Sequence, residues 1–69
     1  MSLEELETRV KKLSMRATDA KMNLHDLAEE LPVDWEKIPE TAEATYAIYK
    51  ELTAARKELK AAKKAAAEA

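Results

Sequence analysis

Residues 3–31 read LEELETRVKKLSMRATDAKMNLHDLAEEL, and within them Leu3, Leu6, Val10, Leu13, Ala17, Ala20, Leu24, Leu27 and Leu31 recur at spacings of 3, 4, 3, 4, 3, 4, 3 and 4. An apolar seam of this period over four heptads predicts one long helix made to pack on another helix. A start signal precedes it: Ser2 and Glu5 form an S-x-x-E capping box, with Met1 and Leu6 placed as a hydrophobic staple. Pro32 disfavours helical geometry at Leu31, so helix 1 is expected over about residues 3–30.

Residues 31–38, Leu-Pro-Val-Asp-Trp-Glu-Lys-Ile, read as a connector in which Asp34 caps a short turn through Lys37. Pro39 fits the first turn of a second helix, expected over about 39–66. Its inner face reads Ile38, Ala42, Thr45, Ile48, Tyr49, Leu52, Ala55, Leu59, Ala62 and Ala66. The Ala-rich tail has little to bury and is expected to fray. Residues 1–69 thus form one all-α domain, an antiparallel, coiled-coil-like two-helix hairpin. If facing residues sum to about 69, Ala17 meets Leu52, Ala20 meets Tyr49, Leu24 meets Thr45, Leu27 meets Ala42 and Leu6 approaches Ala62. Small then faces large, which fills the seam.

A chain of 69 residues buries only about 60% of its unfolded surface. It has no cysteine for disulfides or thiolate metal sites and no glycine for phosphate-cradling loops. Oligomerisation into a helical bundle is the expected support, as a trimer or tetramer. A second stripe, Met15, Thr18, Met22, His25 and Glu29, lies on the face away from the seam. Its two methionines suggest a subunit interface rather than a solvated surface. No leader peptide or membrane-spanning run is read, and a cytoplasmic protein is expected. The net charge of −2 disfavours a general nucleic-acid binder.

Charge is segregated. Residues 26–43 hold seven acids against Lys37, whereas residues 50–64 hold six bases against Glu51 and Glu58. Asp26, Glu29 and Glu30 crowd the C-terminal turn of helix 1, where the helix dipole costs anions about 0.3–1 kcal/mol each. A cation, a basic partner, or the N-terminus of helix 2 packed alongside would offset that cost. His25 lies in this acidic pole, with Glu29 on the same helical face, Asp26 about 100° around, and Tyr46 expected across the hairpin. One imidazole and one carboxylate are an incomplete metal site, which a symmetric oligomer would complete. No nucleophile is spaced to meet His25, and no pocket is expected to perturb the acids, so an enzyme is not expected.

The stretch Lys21-Met22-Asn23-Leu24-His25-Asp26-Leu27-Ala28-Glu29-Glu30-Leu31-Pro32, then Trp35 and Ile38-Pro39-Glu40-Thr41-Ala42-Glu43-Ala44-Thr45-Tyr46, resembles the Rop-like helical-hairpin proteins encoded in nitrogen-fixation gene clusters. The resemblance covers about residues 10–60. It implies an oligomeric helical protein with no established enzymatic activity, and metal binding in some members. Carried over, it names His25 first, then Glu29 and Asp26, as ligands for a divalent nickel, iron or zinc ion. The function it implies is a non-enzymatic accessory role in nitrogen fixation, acting on nitrogenase or its assembly proteins. The alternatives are a Rop-like RNA-binding hairpin using the bases from Arg56 to Lys64, or a ligand-free scaffold that docks a basic protein on the acidic pole.

Overall fold

The computed structural model describes residues 2–68. Helix α1 runs Leu3–Glu30, a single 3-10 turn covers Trp35–Lys37, and helix α2 runs Ile38–Glu68, forming an antiparallel hairpin with extents of 55 × 15 × 15 Å. The Glu5 N–H donates to Ser2 Oγ at 3.2 Å, and the Ser2 hydroxyl donates to the Glu5 carboxylate at 3.1 Å. Ser2 is extended, as an N-cap residue is, and the first-turn acids Glu4 and Glu5 suit the positive end of the dipole. The staple proposed between Met1 and Leu6 lies outside the described residues.

Leu31 leaves the helix with φ −54° and ψ 141°, the extended geometry that a following proline imposes. The turn ahead of α2 starts at Asp34, as expected, but the cap differs. Asp34 adopts φ 58°, a left-handed conformation, and its side chain makes no capping bond. Side-chain capping needs a β-region residue. Here the Lys37 N–H instead donates to the Asp34 carbonyl at 2.9 Å, with Lys37 Nζ 3.9 Å from the carboxylate.

The core is thin. Leu6, Leu13, Ala17, Leu52 and Ala55 are buried, and four of them form one cluster with Val10 and Ile48 packed against it. Ala17 and Leu52 share that cluster, in keeping with the small-against-large register. At the next layer Thr45 takes the inner position, its hydroxyl 2.8 Å from the Thr41 carbonyl and 3.4 Å from the Ala20 carbonyl of the opposite helix. Two clips flank the seam on opposite sides: Arg9 to Glu51 at 3.4 Å and Arg56 to Ser14 at 3.4 Å.

The inner face of α2 needs correction. Thr41, Thr45, Ile48, Leu52, Ala55, Leu59 and Ala62 are the partly or fully buried positions, at spacings of 4, 3, 4, 3, 4 and 3. Ile38, Ala42, Tyr49 and Ala66, expected inside, are exposed. Tyr49 sits about 85° around the helix from the centre of that stripe, at the edge of the seam and 37% exposed rather than within it. The tail is continuous with α2 through Glu68.

A compact monomer of this mass exposes about 4,400 Å². This hairpin exposes 5582 Å², about 1,200 Å² more than that scaling gives. Among the large apolar side chains left in solvent are Met15, Met22, Trp35 and Tyr46, each more than half exposed.

Leu52→Ala is expected to cost about 2–5 kcal/mol and Ala17→Leu about 1–3 kcal/mol. Circular-dichroism unfolding at fixed protein concentration measures both. Tyr49→Ala loses clearly less than Leu52→Ala, and equal losses would contradict the inner face described.

Candidate functional site

His25 and Glu29 occupy the last two turns of α1, one helical turn apart on its outer face. The spacing of four brings His25 Nε2 within 3.2 Å of Glu29 Oε1, with the two side chains 65% and 67% exposed. Water competes for both groups at that exposure, so the pair contributes little to stability. It presents one nitrogen and one oxygen donor to solvent.

Asp26 does not join them. It lies on the flank of the hairpin, in a concavity shared with Asn23, Glu30, Asp34, Lys37 and Glu40. This places Asp26 and Glu30 beside the first turn of α2, whose amide dipoles favour anions. Hairpin packing thereby offers relief to the acids at the unfavourable end of α1. Among the described residues no group of three or more His, Asp or Glu side chains converges as an ion site. Tyr46, expected across from His25, projects from the outer face of α2 and is 70% exposed.

Three further concavities are surface grooves. One runs beside Arg9, Lys12 and Arg16 of α1 and Glu51 of α2. Two more lie on the outer face of α2, on either side of Tyr46. The first, of about 650 Å³, is lined by Thr45, Tyr49, Thr53 and Lys57. The second, of about 510 Å³, is lined by Glu43, Ala47, Glu51 and Ala54. Sequence reasoning overlooked this face. Its signal is the heptad spacing of Glu43, Lys50, Lys57 and Lys64, which sets one acid and three bases on one line of the helix. No polar or charged side chain is buried among the described residues. Arg56, Lys57, Lys60, Lys63 and Lys64 are all exposed along α2. No helix is long and apolar enough to cross a membrane.

Comparison with known proteins follows the same lines. The family model described as Rop-like matches residues 1–64. A UPF0437 protein of Azorhizobium caulinodans is 52% identical over 58 residues, covering 84% of each chain. A UPF0437 protein of a Nostoc species is 48% identical over 59 residues, covering 86% of this chain and 83% of the relative. A Frankia alni relative, 46% identical over 46 residues, covers 67% of this chain and 56% of its own. It is named for its place in the nifX-nifW intergenic region. No solved structure matches the chain. The chain belongs to the Rop-like family of small helical hairpins.

Because the His25–Glu29 pair is so exposed, His25→Ala is expected to change hairpin stability by no more than about 0.5 kcal/mol. Urea denaturation at fixed protein concentration checks this, and a larger loss would mean that His25 packs as part of the structure.

Proposed function

We propose that this member of the Rop-like family is a self-associating, non-enzymatic accessory protein of nitrogen fixation, acting in the cytoplasm on nitrogenase or its assembly proteins. The observation that carries the physiological part is the nifX-nifW position of the Frankia alni relative. Self-association is supported by the surface left over from a five-residue core, since a rod of this shape covers its apolar side chains by acquiring neighbours.

A second reading concerns metal. The His25–Glu29 pair supplies two donors of the kind that nickel, iron or zinc accept, and Asp26 lies one residue along on the flank. A tetrahedral site takes four ligands, so copies of His25 and Glu29 from associated chains would have to meet at a shared axis. Binding would then depend on assembly and on the imidazole.

Deleting the gene in the organism that carries it is expected to slow growth on dinitrogen and leave growth on ammonium unchanged. Equal growth of deletion and parent strains on dinitrogen would remove the physiological reading. For metal, equilibrium dialysis of the purified chain against nickel, iron or zinc should give binding in the wild type and its loss in His25→Ala. Equal metal content in the two would remove the site.

A further inference from the structure

We propose that the loop end of the hairpin is a docking knob for another protein, one that offers an apolar socket flanked by lysine or arginine. The inference rests on the accessory reading only in taking the chain to act by touching a different protein, and it adds the surface and the chemistry of the partner. Nine large apolar side chains are exposed among the described residues. Four of them, Leu31, Val33, Trp35 and Ile38, fall within eight residues where α1 turns into α2. Val33 is 60% exposed, and Trp35, the only tryptophan of the chain, is 62% exposed. Apolar groups gathered on a surface and rimmed by charge mark a contact site. Tryptophan is among the residue types most enriched where binding energy concentrates.

The knob is held in shape. The Val33 N–H donates to the Glu30 carbonyl at 3.0 Å, the Trp35 N–H to the Pro32 carbonyl at 3.4 Å, and the Lys37 N–H to the Asp34 carbonyl at 2.9 Å. Pro32 and Pro39 fix their own φ angles on either side. A partner that covers Trp35 therefore orders little backbone, and more of the contact energy remains as affinity. The knob is also small. The rod is 15 Å across, and its end alone is smaller than the roughly 800 Å² per partner of a standard interface. The contact accordingly belongs to the weak, exchanging class.

Charge selects the partner. Residues 29–40 hold Glu29, Glu30, Asp34, Glu36 and Glu40 against Lys37, whose ammonium lies 3.9 Å from the Asp34 carboxylate. Beside the turn, a concavity of about 460 Å³ is lined by Asp26, Glu30, Asp34 and Glu40 together with Lys37. A lysine or arginine entering there meets four carboxylates while Trp35 enters the socket. Such complementarity steers encounter and fixes register. Asp26 and Glu30 stand at the end of α1 that disfavours anions, so the stability of that helix does not call for them. The same acids repel an anionic lipid surface and the phosphates of a nucleic acid, the other surfaces that tryptophan suits. A second copy of this chain lacks the socket. Its bases gather in residues 56–64, where the apolar side chains are the partly buried Leu59 and two alanines.

A photoreactive benzoylphenylalanine at position 35, or at position 15 on the outer face of α1, tests this in the organism that carries the gene, grown on dinitrogen and on ammonium. Irradiation should link position 35 to a protein other than this chain, and position 15 should not link to that protein. The linked protein is then purified and added to the full-length chain labelled with 5-fluorotryptophan, whose single fluorine resonance should shift or broaden. Surface plasmon resonance should show that Trp35→Ala weakens binding about thirtyfold or more. Asp26→Asn with Glu30→Gln should weaken it about three- to tenfold, chiefly through slower association, and flatten its salt dependence. Circular dichroism should find both variants as helical as the wild type, since neither change touches the buried core. A position 35 that links to nothing, or only to a second copy, a lipid or a nucleic acid, overturns the knob. So does a linked protein whose binding is unchanged by Trp35→Ala or by the paired neutralisation. Unchanged growth of the deletion strain on dinitrogen beside a specific link at position 35 removes the accessory reading alone. A growth defect without that link removes the knob alone.

Discussion

The close approach of two helices at Ala17 sets the architecture of this hairpin. A methyl group on α1 leaves room for Leu52 on α2, and both are almost fully buried. Leu13 and Ala55 repeat the relation one turn on with the sizes exchanged. Because the helices come close there, Thr45 can reach across to the Ala20 carbonyl. The polar clips from Arg9 and Arg56 span the seam on either side. Filling this core with larger groups on both helices would force them apart and detach those contacts.

Such a small core leaves most of the chemistry on the surface. The helix ends divide the charge: α2 begins among acids and continues among bases, as its own dipole favours, whereas α1 ends among acids against its dipole. Placing the start of α2 beside Asp26 and Glu30 reconciles the two. His25 and Glu29 remain outside this compensation, on the outer face, where their closest polar contact is with each other.

Fold class was legible because the α1 seam has one unbroken phase, and nine apolar positions leave no second choice of face. The inner face of α2 was harder to index. Its true stripe begins with Thr41 and includes Thr45, so two polar residues occupy seam positions, while the more apolar Ala42 and Tyr49 offer a competing stripe one position round. Hydrophobicity alone prefers the wrong one, and the hydroxyls are tolerated because a threonine in a helix can bond to the carbonyl four residues back. Asp34 shows another limit: its residue type suits both an N-cap and a left-handed turn, and only the path of the chain into the 3-10 turn selects between them. At the candidate site, the His25–Glu29 contact follows from helical spacing. The grooves beside Tyr46 do not, since a concavity between exposed side chains leaves no mark on composition.

The buried residues are unevenly placed. Leu6, Leu13, Ala17, Leu52 and Ala55 all lie between the middle of the rod and its open end, and no residue from 18 to 51 is fully buried. The closed end is covalently joined yet poorly packed, while the open end is unjoined and holds the core. Backbone amides of the last turns of α1 and the first turns of α2 are therefore expected to exchange with solvent through local openings more readily than those around Leu13 and Leu52. The connector fixes topology and concentrates the helices near one another; it does not supply the rigidity of the molecule.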